Sequence, residues 1–365
     1  MLMKKLDALL GRLAVSLLTP PARYAVPPDI SSILLIRPGG IGDAVLLAPA
    51  IRSLKNNYPH VRITILAERR NAGVFSLVSG VDETLCYDSP REFYKALRGR
   101  YDVVIDSEQC HRLSALVARF VRAPVKIGFN TNERRRMLTH LIPYSHEEYE
   151  ALSFVHLMGS MGIGEEEVNR DAPFLNVPDS ALKSADNFLK AFAGKPIVLF
   201  FPGASIVERR WGTERYNLLS NRLSEDGYMT VVVGGSEDRE DGKLIAGAGG
   251  LNLAGMTTLA ETAALIACSC LLISGDSGVL HLAVGLNIPT VSLFGPGIAA
   301  KWAPVGEKHV VLNRNLSCSP CTRFGTTPPC PYGVRCMVEI THDEVMSAAV
   351  GLLKMKPVTK NQIQL

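Results

Sequence analysis

Two glycine-bearing turns, about 240 residues apart, hold the residues of this chain that are best placed to do chemistry. The first closes the apolar run Ile33–Ile36 and reads Arg37-Pro38-Gly39-Gly40-Ile41-Gly42-Asp43. The second closes Leu271–Ile273 and reads Ser274-Gly275-Asp276-Ser277-Gly278-Val279-Leu280-His281. A helical pattern follows each. Gly39, Gly40 and Gly42 let the backbone turn tightly and admit a ligand close to the main chain. Asp43 falls at a helix start, which favours a carboxylate electrostatically. It suits a plain first-turn acid or a general base equally. In the second turn, the backbone N–H groups at the helix start can cradle a phosphate. Ser277 could add a hydroxyl donor, and His281 lies one turn further in. The same residues also suit a capped helix, with Asp276 or Ser277 as N-cap and His281 as a core histidine. A carboxylate in one half and an anion cradle in the other point to group transfer from a phosphorylated donor rather than hydride transfer.

Three further groups sit at predicted strand ends, where open α/β sheets bind ligands. Glu208-Arg209-Arg210-Trp211 could clamp phosphates through an arginine, or be a solvated basic loop with Trp211 as a core anchor. Gly234-Gly235-Ser236-Glu237 offers an acid for ribose hydroxyls or for a helix cap. A dinucleotide fingerprint competes for the first turn: Gly40 and Gly42 fit its first two glycines, and Glu68 closes the next strand. Glu68 thus falls about where a ribose-binding acid belongs, but Val45 stands where the third glycine belongs, so the match is incomplete. Separately, Cys318, Cys321, Cys330 and Cys336 suggest a structural zinc loop, although their spacing is not a standard zinc pattern. Buried thiols and oxidised pairs are the alternatives.

The elements that must position these groups alternate strand and helix, which implies parallel sheets covered on both faces. Strands are predicted at 33–36, 61–67, 101–105 and 125–129, then at 196–201, 229–233, 271–274 and 290–294. The expected organisation is an amphipathic extension over 1–30, a first Rossmann-like domain over 31–170 and a connection over 171–195. A second Rossmann-like domain over 196–345 and a closing helix and tail over 346–365 complete it. At 365 residues there is room for both domains. The net charge of +4 is mild and forms no basic stripe along the sequence, so a nucleic-acid partner is not expected. No apolar run reaches the roughly 18 residues that would span a bilayer. Near the N-terminus, Leu2, Leu6, Leu9, Leu10, Leu13 and Leu17 recur at helical spacing, which suits a helix on a membrane surface or one packed on the protein's own body. Asp7 and Arg12 interrupt what would otherwise read as a signal peptide after Lys4 and Lys5. The expected location is the cytoplasm, with peripheral contact at the inner face of the cytoplasmic membrane.

Taken together, these motifs resemble glycosyltransferase family 9, the heptosyltransferases of lipopolysaccharide core assembly. The resemblance rests on Ile36-Arg37-Pro38-Gly39-Gly40-Ile41-Gly42-Asp43 with Pro49–Leu54 downstream, and on Pro202-Gly203-Ala204-Ser205 and Arg209-Arg210-Trp211. It continues through Gly234–Glu237, Gly275–His281 and Phe294-Gly295-Pro296. It implies a GT-B fold, two Rossmann-like domains facing a central cleft, and metal-independent, inverting transfer from an ADP-sugar to a lipopolysaccharide-type or glycolipid acceptor. By the same resemblance, Asp43 is the base. Arg209, Asp276, Ser277, Gly278 and His281 hold the donor's sugar and phosphates, and Glu237 meets the ribose. Arg209 stands where many members have lysine, which keeps the charge but changes its geometry. No cofactor is implied, and similar cysteine-rich loops occur in some members. An idle nucleotide-sugar-binding protein and a GT-B sugar-nucleotide epimerase are the rival readings. Arg134-Arg135-Arg136, near the acceptor face, could meet acceptor phosphates or be a solvated surface.

Overall fold

Strand β1, Ser32–Arg37, is flanked by β2 at Arg62–Ala67 and by β4 at Val103–Asp106, both parallel to it. These three are the continuous apolar runs that a strand buried on both faces requires. With β3 (Glu83–Cys86), β5 (Val125–Phe129) and β6 (His140–Ile142) they make one six-stranded sheet in the order β3-β2-β1-β4-β5-β6. The computed structural model describes Asp7 and residues 11–164, 172–192, 194–323 and 325–355. The described residues before 165 form one compact unit and those after 171 a second.

The second unit repeats the topology. Its strands are β7 (Ile197–Phe201), β8 (Met229–Val232), β9 (Leu251–Asn252), β10 (Leu271–Gly275), β11 (Thr290–Phe294) and β12 (His309–Asn313). Their order, β12-β11-β10-β7-β8-β9, reads in reverse as the doubly wound order of the first sheet. Each sheet therefore reverses its winding beside its first strand, between β1 and β4 and between β7 and β10. The carboxyl ends of those strands are where such sheets leave a crevice.

Packing fixes these ends. Trp211 is fully buried, donates from Nε1 to the Ile340 carbonyl at 2.8 Å and meets Tyr216 edge-on at 4.9 Å, so the core-anchor reading holds for it. The helix His342–Lys354, opened by a reciprocal Thr341–Glu344 cap, buries Val345 and Ala349 in the same core. Within the predicted connection, Phe174 and Leu175 donate to the Gly285 carbonyl, and the helix Asp179–Leu189 packs on Leu259–Ala267, so these residues belong to the second unit.

Of the predicted N-terminal stripe, Leu2, Leu6, Leu9 and Leu10 lie outside the described residues, as does the tail beyond 355. The described part is a helix, Arg12–Leu17, whose Val15 is buried against Ala115, Leu116 and Met137. No helix among the described residues is long and apolar enough to cross a membrane.

Candidate functional site

The first turn stands on a buried polar network. Arg37, at the end of β1, is fully enclosed. It donates to the carbonyls of Pro38 (2.6 Å) and Ser107 (2.9 Å), pairs with Glu108 at 3.2 Å and lies over the Phe154 ring. A buried guanidinium persists only when it is paired and hydrogen-bonded in this way. Burial pushes the Glu108 carboxyl up, but Arg37 and neighbouring donors outweigh it and hold the group below its usual range. Gly39 has a φ of +101°, and a Cβ there would press on Arg37 Nη2 at 3.3 Å, so glycine is required. Its N–H donates to Glu68 at 3.1 Å. Glu68 also pairs with Arg70 and caps the helix Arg69–Ala72. The acid that resembled a ribose ligand is thus engaged in holding the turn.

Above this network, Asp43 occupies the first turn of the helix Ile41–Leu46 and is half-buried. Tyr144 lies within its electrostatic reach. Burial, then Glu150, then Asp43 raise the Tyr144 hydroxyl far above its ordinary value, and it donates to Glu150 at 3.1 Å. Arg134 corrects one expectation: it is wholly buried, paired with Asp106, and donates to the carbonyls of Phe129 and His111, so it cannot greet an acceptor phosphate. Arg135 and Arg136 remain exposed. Sequence reasoning missed Arg37, Asp106, Glu108 and Arg134 as a set. The available signal was polar residues closing two apolar strands that the topology places side by side, with Ile36 opposite Asp106.

The second turn lies at the other reversal, where Ser274 of β10 is in register with Phe201 of β7. Ser277 caps the helix Gly278–Gly285 by accepting from Leu280 N–H at 3.3 Å and shares a 2.8 Å hydrogen bond with Ser274. Asp276 pairs with Arg209 at 2.8 Å, both largely buried. Gly297 comes so close that a Cβ would lie 2.1 Å from Asp276 Oδ2. Arg209 Nε and His281 Nδ1 are buried with no hydrogen-bond partner within the protein. Such atoms are costly unless something fills the place beside them. The structure thus gathers Arg209, Asp276, Ser277, Gly278 and His281. Glu237 stands exposed, whereas its neighbour Asp238, which sequence reasoning missed, is buried, accepts from Gly235 N–H at 3.0 Å and pairs with Arg210 at 3.2 Å.

Burial, and then Arg209, push His281 down to about 4. The imidazole is neutral at pH 7, as a hydrogen-bonding group beside a fixed cation should be. Its ordinary value is 6.5, so the unfolded chain binds more protons between those two values. Stability is therefore fully present above pH 6.5 and falls as the pH drops toward 4. His111, held near 10 chiefly by Asp7 and then Cys110, stays protonated in the fold while the unfolded histidine loses its proton near 6.5. It therefore stabilises the fold more at pH 5 than at pH 7 and offsets the His281 slope by about 1 kcal/mol. The stability lost between pH 7 and pH 5, read from urea unfolding, should be about 2 kcal/mol smaller in His281→Gln than in the wild type. His309, also pushed down to about 4 by burial and then Lys308, contributes equally to both.

Two cysteine-containing groups bear on metal binding. Among the described residues, Glu108, Cys110 and His111 are the one set whose ligand atoms gather within 4.8 Å. The carboxylate there already accepts from Cys110 N–H and His111 N–H and faces Arg37, and His111 is protonated, so a metal cation would meet two positive charges. The expected zinc loop is not gathered into a ligand set. Instead Ser319 donates to the Gly295 carbonyl, Cys321 and Thr322 N–H donate to that of Pro296, and Cys336 lies beside Gly295. Burial, reinforced by the neighbouring sulphurs, raises the Cys321 and Cys336 thiols. This loop braces the turn that ends at Gly297, behind Asp276.

Two doubly wound parallel sheets, each carrying its polar turns at its own winding reversal, define the GT-B architecture of nucleotide-sugar transferases. The model of glycosyltransferase family 9 (heptosyltransferase) matches residues 91–330, and the chain belongs to that family. It is accordingly a glycosyltransferase. It is 27% identical to lipopolysaccharide heptosyltransferase 2 of Escherichia coli over 304 residues, spanning 77% of this chain and 87% of the relative. Among solved structures, ADP-heptose lipopolysaccharide heptosyltransferase II of E. coli matches with a TM-score of 0.73 at 25% identity, covering 89% of this chain and 99% of that one. A family 9 glycosyltransferase from Veillonella parvula matches with a TM-score of 0.78 at 21% identity, covering 91% and 100%.

Proposed function

We propose that this enzyme is an inverting, metal-independent transferase that moves a heptose-type sugar from an ADP-sugar to a lipopolysaccharide core or related lipid-linked acceptor. The relatives' names supply the sugar and acceptor class. The observation that carries the reading is the buried Arg209–Asp276–His281 group at the start of the helix Gly278–Gly285, with two polar atoms unpartnered within the protein. A cation, a neutral imidazole and helix N–H groups suit a departing diphosphate without a divalent ion.

In this reading Asp43 accepts the proton of the acceptor hydroxyl as that oxygen bonds to the anomeric carbon. The carbon–phosphate oxygen bond breaks, and ADP leaves with the electron pair. Direct displacement inverts the anomeric centre. Ser277 and Gly278 border the phosphates, and Glu237, exposed at the end of β8, receives the ribose hydroxyls. The neighbouring pair of Asp238 and Arg210 holds that strand end in place.

Calorimetry with ADP, UDP, GDP and NAD in the presence of EDTA tests the donor half. Selective ADP binding is expected. Arg209→Ala should weaken it about 10- to 100-fold, the worth of a charge-assisted phosphate contact. Equal ADP affinity in a folded Arg209→Ala variant removes Arg209 from the site. A preference for UDP or GDP changes the donor, and tight NAD binding overturns the reading.

A further inference from the structure

The helix Arg12–Leu17 uses only one face for packing. Val15 is buried, while Leu13 and Leu17, four residues apart and so on one face, are 59% and 76% exposed. Polar contacts accompany this packing on the helix and at Asp7 ahead of it. Asp7 is buried and accepts backbone N–H bonds from Arg112 (2.7 Å) and Leu113 (2.8 Å), capping the helix Arg112–Phe120 from a distant part of the chain. Its second oxygen faces His111 and Arg112, each at 3.6 Å. Arg12 meets Glu133 at 3.1 Å.

The surface beneath is cationic. Arg12–Leu17 lies against Arg112–Phe120 and the turn Glu133–Met137. These three segments hold six arginines and one acid, Glu133, in a chain whose whole net charge is +4. Arg134 points inward, but Arg135 and Arg136 are exposed and Arg12 is 68% exposed. No basic stripe is visible along the sequence because the patch is assembled from three separated segments.

We propose that this surface docks on an anionic lipid bilayer, with Leu13 and Leu17 entering the boundary between headgroups and acyl chains and Arg12, Arg135 and Arg136 facing lipid phosphates. An apolar helix edge beside exposed arginines is the chemistry of an interfacial helix, and the negative surface potential of such a bilayer draws the cations in. A second copy of this chain would set like charges against each other, which disfavours self-pairing through the patch. The docking is independent of the donor and the sugar.

The test is co-sedimentation of the full chain with phosphatidylcholine vesicles, with and without phosphatidylglycerol, across a salt series. Binding to the anionic vesicles is expected, weakening with salt. The double variant Leu13→Gln, Leu17→Gln should bind about tenfold less, with an unchanged urea midpoint. Arg135→Gln, Arg136→Gln should bind less and lose much of the salt dependence. No binding by the folded wild-type chain, or equal binding by the leucine variant, overturns the proposal. So does self-association in solution that the leucine variant abolishes, because the patch would then cover a second copy. Calorimetric ADP binding on the same samples reports separately on the transferase reading.

Discussion

Asp43→Ala should lower the transfer rate by about 10²- to 10⁴-fold, the usual worth of a positioned general base, while leaving ADP affinity within about twofold. The separation follows from the fold: Asp43 belongs to the first unit, and the ADP-binding candidates Arg209, Asp276 and His281 belong to the second. Asp43→Asn is the sharper control, because it keeps the shape of the helix turn and removes only the proton acceptor. Paired measurements of single-turnover transfer and calorimetric ADP binding check the assignment. A tenfold loss of ADP affinity in a folded Asp43 variant would make it a donor ligand. Transfer retained in both variants would leave it a first-turn acid whose role is to satisfy the helix start.

Asp106→Ala should be the most destabilising single change in the first unit. It strands Arg134, which is fully enclosed and whose only carboxylate partner among the described ion pairs is Asp106. Removing one partner of a buried pair costs about 3–5 kcal/mol, because the remaining charge stays buried. Urea unfolding measures the loss directly. Replacing both partners, Asp106→Leu with Arg134→Met, should recover most of it, since a packed apolar pair is often as stable as the ion pair it replaces. A loss below about 1 kcal/mol in Asp106→Ala would mean that water reaches Arg134 in solution, contrary to its enclosure here. Burial raises the Asp106 carboxyl despite the opposing charge of Arg134, the mark of a pair taken out of water, whereas an exposed salt bridge is typically worth about 0–1 kcal/mol.

Much of the fold was legible because central parallel strands are buried on both faces. Ile33–Ile36, Ile197–Phe201, Leu271–Ile273 and Thr290–Phe294 are apolar runs that leave little choice of structure. Glu83–Cys86, His140–Ile142, Leu251–Asn252 and His309–Asn313 were not foreseen. They are the four outermost strands of the two sheets, short or half-exposed, and their mixed composition carries no clear period. Legibility at the site divides in the same way. Gly39, Asp43, Ser277 and His281 announce themselves because turn and helix-start chemistry is local. Arg134, read as a surface triplet with its neighbours, turned out to be buried because the register of β4 and β5 places Asp106 beside its path.

The sequence by itself determined two doubly wound domains, the turns that end their central strands and the residues standing in those turns, since each depends on neighbours only a few positions away. Tertiary structure alone decided which charges are buried together, that the cysteine loop braces the turn ending at Gly297, and that arginine-bearing segments far apart in the chain come together beside the helix of Leu13 and Leu17. Those outcomes depend on which strand lies beside which. Burial and charge pairing are set by such long-range contacts, which no local pattern of residues encodes.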